Sequence, residues 1–148
     1  MPSIRLADAA AHFTRASTAL RPNLLRSEAE TLKEATAQAV TFSSGTLTTA
    51  AMRKAGHPYA VRNPTAPDPG IINAQSSVFR ESFKIVSPTA FSGSIVSSVV
   101  NTASYSGYLS SGTRFMIPRP LAVKVQIAVQ PARLTRTRRA VAQAFTQP

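Results

Sequence analysis

The chain has 148 residues, 43% of them hydrophobic and 16% charged, with neither cysteine nor tryptophan. That length suits one domain able to bury about 68–70% of the surface its unfolded chain exposes, and the lack of cysteine excludes disulfides and thiolate metal sites. Seventeen Lys and Arg against six Asp and Glu give a formal charge of +11, a field that favours a polyanion or an acidic protein face and bears on association rather than on fold.

The charge is unevenly placed. Residues 1–81 hold nine basic and six acidic side chains, whereas residues 82–148 hold eight basic and none acidic. The second half therefore carries its positive charge without carboxylates of its own. The segment Met1 to Ala11 contains Arg5 and Asp8 and no apolar stretch, so no signal peptide is expected there. The uncharged run from Ile85 to Thr113 is broken by serine, threonine, glycine and Pro88, too densely for a membrane-spanning helix. The whole chain, 1–148, is read as a single domain.

In chain order, residues 1–42 form a helical region. From Ile4 to about Val40, Leu6, Phe13 and Leu20 recur every seven residues, as do Leu25 and Leu32, with alanines between them. Ser3 is a candidate N-cap. Pro22 removes an amide donor and clashes with the carbonyl four residues back, so a break or kink is expected from Leu20 to Asn23. Asn23 or Ser27 then caps a second piece whose Glu28, Glu30 and Glu34 suit the start of a helix dipole.

Residues 43–70 read as a short helix and a proline-rich loop. Ser43-Ser44-Gly45 closes the first region, with Gly45 suited to a helix-terminating turn. Thr46 to Ala55 is a candidate helix ended by Gly56 and Pro58. Asn63 to Gly70, with Pro64, Pro67 and Pro69, is a stiff loop.

Residues 71–130 change period and read as a β-sheet region. Phe83 to Val86 and Ser94 to Thr102 are expected strands joined by a turn spanning Pro88 to Gly93. Tyr105 to Leu109 and Phe115 to Ile117 would extend the sheet. Val123, Val125, Ile127 and Val129 alternate with other residues, which is strand periodicity, so extended structure is expected through Val129. Residues 131–148 form a basic C-terminal helix and tail, with Pro131 suited to the helix's first turn. The expected fold is α+β: an antiparallel β-sheet packed against a long, Pro-kinked N-terminal helix, with a short C-terminal helix.

Catalytic and metal chemistry finds little purchase. His12 and His57 have no ligand partner three or four residues on, so a zinc site is not expected. No serine sits in a Gly-x-Ser-x-Gly elbow. No phosphate-binding loop or dinucleotide fingerprint occurs. A triad of a serine with His57 and Asp68 would need fixed geometry that a proline-rich loop gives no reason to supply. An enzyme is not expected, nor is a cofactor. The strongest binding candidates are Arg133, Arg136, Arg138 and Arg139. On a helix, Leu134, Val141 and Phe145 share one face, with Arg133, Arg136 and Arg139 away from it and Arg138 near its edge. Such a cluster suits a partner or DNA, although without the interleaved aromatics of a single-strand stacking surface.

The most telling stretch runs from Tyr105 to Leu121. Tyr105 and Tyr108 lead into Gly112-Thr113-Arg114, and an apolar run ends on Pro118-Arg119-Pro120. Gly112 is suited to a positive-φ turn, and the two prolines bias Ile117 and Arg119 towards extended backbone. Arg119, held between them, is read as a side chain presented to a partner. The order of these features resembles the signature of neck and tail-completion proteins of tailed bacteriophages. Ser76 to Phe83 is loosely similar to the Ser/Thr-Gly-x-Leu-Arg element that opens the sheet in that family.

The resemblance implies a non-enzymatic virion protein with an antiparallel sheet packed on a long helix. It implies a homo-oligomeric ring, with a hexamer expected, at the head–tail junction or the top of the tail around the DNA channel. The implied partners are other copies of itself, neighbouring neck, connector and tail proteins, and genomic DNA through non-specific contact, with no membrane. The implied location is the virion, after assembly in the host cytoplasm. A small basic nucleic-acid-binding domain is the alternative.

Overall fold

The computed structural model describes residues 6–44, 77–91, 93–113 and 118–146. The expected helix at Thr46 to Ala55, the proline-rich loop, His57, Asp68, Arg114 and the strand at Phe115 to Ile117 lie outside the described residues.

The fold is α+β. Helix α1 (Leu6–Phe42) is followed by the single turn α2 (Val78–Glu81), strands β1 (Phe83–Phe91) and β2 (Ser94–Asn101), the short helix α3 (Ser106–Ser111) and helix α4 (Leu121–Thr146). The two strands pair antiparallel.

Helix α1 passes through Pro22 as one element of 37 residues, so the expected break into two pieces does not occur. Pro22 and Thr18, whose carbonyl loses its amide donor to the proline, are both exposed, so solvent is available to that carbonyl in place of the donor. The packing partner spans the proline as well. Ala16 and Asn23, either side of it, are both buried, and Asn23 Nδ2 donates to the carbonyl of Ala140 on α4 at 3.5 Å. Tertiary contact thus holds in one helix what local propensity would divide. The C-terminal end is closed by hydroxyls. Ser43 Oγ donates to the Ala39 carbonyl at 2.6 Å and Ser44 Oγ to Val40 at 2.7 Å, adding to the bonds that both carbonyls accept from the Ser43 amide.

Helix α4 begins at Leu121, ten residues before the expected helix start, and includes Pro131. The Val/Ile alternation that predicts a strand over 122–129 is satisfied by a helix with apolar residues on opposite faces. Leu121, Val125 and Val129, four apart, are buried or half-buried, while Val123 and Ile127 are exposed. Pro131, like Pro22, stands on an exposed position.

The two long helices run antiparallel, because contacts rise in number on α1 as they fall on α4. Asn23 meets Ala140, Glu28 meets Arg133, and Phe42 lies beneath the ammonium of Lys124 at 5.4 Å. The buried residues along these helices are mostly small: Ala16, Ala35, Ala39, Ala140 and Ala144, together with Leu32 and Val129. Small side chains let helix axes approach closely, which suits an interface with few large side chains.

Strand β1 continues through Pro88, where the turn is expected to begin, as far as Phe91, and Gly93, with φ 79°, directly precedes β2. Pro88 is accommodated in a β-bulge. Val86 pairs with Ser98 and Thr89 with Val96, so Ser87 and Pro88 together oppose Ser97. A residue without an amide proton fits where the ladder is interrupted. On β2, Ile95, Ser97, Val99 and Asn101 are half-buried while the residues between them are exposed, the alternation of a sheet with one covered face.

The expected strand at Tyr105 to Leu109 is instead helix α3. Asn101 turns the chain ahead of it. Its Oδ1 accepts from the Ala103 amide at 3.0 Å and its Nδ2 donates to the Phe79 carbonyl at 2.8 Å, turning the chain as it leaves β2. Phe79 anchors the adjoining core with Ala103 and Leu121, and Phe42, Phe83, Leu109 and Val125 pack around them.

Candidate functional site

The signature segment folds back on this core. Tyr105 stacks on Phe79 with ring centroids 5.9 Å apart, while Tyr108 is exposed. Gly112 caps α3 with φ 75° and ψ 178°, its amide donating to the Tyr108 carbonyl at 2.9 Å, so the expected positive φ is present. Thr113, Pro118 and Pro120 are exposed.

Arg119 departs from expectation. It is only 1% exposed, so it is a structural element and not a side chain held out to a partner. Its amide donates to the Leu109 carbonyl at 2.9 Å, and its own carbonyl accepts from the Leu121 amide at 2.7 Å. These bonds tie the Pro-Arg-Pro backbone between α3 and the start of α4, and the side chain turns inward. Burial pushes the guanidinium below its ordinary value by desolvation, yet an arginine keeps its charge in a protein.

The arginine cluster is divided by the fold. Arg133 grips Glu28 with both arms of its guanidinium, Nη2 to Oε1 at 3.1 Å and Nε to Oε2 at 3.2 Å. Ser97 Oγ on β2 donates to the same carboxylate at 2.7 Å. One acidic side chain thus joins α1, α4 and the sheet. Arg136 Nη2 lies 2.6 Å from Glu34 Oε2. Arg138 and Arg139 remain exposed. The second half of the chain has no carboxylates of its own, but α1 supplies two across the helix pair. Sequence reading placed these acids at a helix start, where the dipole favours them. The signal for their real partners was charge complementarity between two helices lying antiparallel.

A fork between Arg and a mostly buried carboxylate is stronger than an ordinary surface pair. Half of the Arg133 side chain is in solvent, which screens the interaction. A double-mutant cycle with Glu28→Gln and Arg133→Gln is expected to give a coupling of about 0.5–1 kcal/mol in chemical denaturation. Strict additivity of the two variants would show that the fork contributes nothing to the fold.

Between α1, the covered sheet face and α4 lies a cleft of about 710 Å³, lined by Leu32, Phe79, Val99 and Val129, with Arg119 and the Glu28–Arg133 pair among its polar groups. Within the cleft Glu28 and Ser97 are bonded to each other. Among the described residues, no helix is long and apolar enough to cross a membrane. Compared with protein-family models, curated proteins and solved structures, the chain has no match.

Proposed function

We propose that this chain is a structural protein of a tailed-phage virion, forming a homo-oligomeric ring at the head–tail junction or the top of the tail around the DNA channel. The observation that carries the reading is the segment from Tyr105 to Pro120. Its residues resemble the neck-protein signature, and those described act together as architecture: a short helix, a glycine cap and a buried arginine joined by backbone bonds. Neighbouring copies and other neck, connector and tail proteins are its partners under this reading, with six copies the expected ring. Arg138 and Arg139 supply exposed positive charge for non-specific contact with DNA or for an acidic protein surface. The protein would assemble in the host cytoplasm and reside in the virion.

The test is quantitative analysis of purified particles by mass spectrometry. A small fixed copy number per virion is expected. Detection only in infected-cell extracts, never in particles, would defeat the proposal. The nucleic-acid-binding alternative is weakened by the engagement of Arg133 and Arg136 with Glu28 and Glu34. Replacing Arg138 and Arg139, the two left from the cluster, by alanine should therefore change the log–log salt slope for duplex DNA by no more than about 2. A much larger change would favour the alternative.

A further inference from the structure

Helix α4 carries two apolar stripes. One, through Leu121, Val125 and Val129, is covered by the rest of the fold. The other consists of Val123, Ile127, Leu134, Val141 and Phe145, all exposed, from 37% at Val141 to 66% at Ile127. At 100° per residue these five side chains fall within about 40° of arc, on the side of the helix opposite the covered stripe. The stripe is about 33 Å long from Val123 to Phe145.

Its spacing is symmetrical. Reading outward from Leu134, Ile127 and Val141 lie seven residues away on either side, and Val123 and Phe145 lie eleven away. An antiparallel copy of α4 laid on it about a two-fold axis at Leu134 therefore sets Leu134 on Leu134, Ile127 on Val141 and Val123 on Phe145. A two-fold contact requires a patch complementary to itself, and this patch is.

Charge selects the same arrangement. Arg133 and Arg136 turn to the carboxylates of α1, and at 100° per residue Arg139 also falls on the far side of α4 from the stripe, so Lys124 and Arg138 are the basic residues of α4 that flank it. A parallel pair would place each of these two against its own copy. The two-fold antiparallel register instead sets them level with Ala144 and Gln130.

We propose that the outward stripe of α4 is the interface of a two-fold homodimer, with the helices antiparallel and Leu134 on the axis. The contact goes beyond the neck reading and does not depend on it, since a two-fold interface closes at two copies. A flat strip 33 Å by one helix width covers on the order of 330 Å² per copy, under half of the ~800 Å² per partner of a standard interface. Contacts this small belong with weak, transient pairs, so the dimer is expected to be reversible.

The intact 148-residue chain provides the test, because it contains no cysteine and single cysteines report unambiguously. Under mild oxidation, Leu134→Cys should cross-link to its own copy. Ile127→Cys should not, since its two copies lie about 21 Å apart along the helices, but it should cross-link when mixed with Val141→Cys. By sedimentation at tens of micromolar, the parent chain should show a monomer–dimer equilibrium. Leu134→Arg, a change at a half-exposed position, should keep its helical circular dichroism and weaken pairing by at least about tenfold through like-charge contact. Failure of Leu134→Cys to cross-link would overturn the proposal, as would self-linking by Ile127→Cys or pairing undiminished in Leu134→Arg. None of these outcomes depends on whether the protein is found in virions.

Discussion

Arg119→Ala is expected to destabilise the fold by about 2–4 kcal/mol, the range for truncating a large buried side chain. For a chain of this size that lowers the melting temperature by on the order of 10 °C. Two effects oppose each other. Removing the guanidinium relieves the desolvation that burial imposes on a charge. It also empties a fully buried volume beside the cleft between α1, the sheet and α4. Packing should win, because the charge has already been accommodated and the void has no replacement atoms. Arg119→Met separates the two, since it restores most of the volume without the charge. It should melt between the parent and the alanine variant. An alanine variant with unchanged melting would mean that the buried side chain is not part of the core, and would return Arg119 to the role of an exposed contact.

The elements that could be read from sequence were those whose local signals agreed with their tertiary surroundings. Helix α1 carried alanine-rich helical spacing and packs along an alanine-lined partner, and Gly112 sits where a turn demands positive φ. Misreadings arose where a local rule met a tertiary override. Pro22 and Pro88 both argue for a break, yet one lies on the wet side of a packed helix and the other in a bulge. The alternation from Val123 to Val129 is ambiguous in principle, since a helix with two apolar faces produces the same pattern. Asn101 was the available clue to α3, because an asparagine after a strand can turn the chain through its side chain. Arg133 and Arg136 looked unpaired because their partners lie about a hundred residues away, on a helix whose direction relative to α4 no local pattern specifies.

The conformation of Gly112 leads to a second large effect. At φ 75° and ψ 178° it occupies a region that residues with a Cβ essentially avoid. Gly112→Val is therefore expected to cost about 1–3 kcal/mol, as a lower midpoint in denaturant unfolding. Asparagine, which tolerates left-handed helical backbone, should rescue little, because the ψ here lies far from that region's value near +47°. Gly107 provides the control within the same short helix. It has no positive φ, and a Cβ there meets nothing within 4 Å. Gly107→Ala should be neutral or stabilise by up to about 1 kcal/mol through lower entropy of the unfolded chain. The contrast isolates backbone conformation from the mere loss of a glycine. Equal midpoints for Gly112→Val and Gly107→Ala would show that the cap relaxes freely. The turn would then no longer fix the path from α3 to Arg119, and the architectural reading of the segment would lose its rigid element.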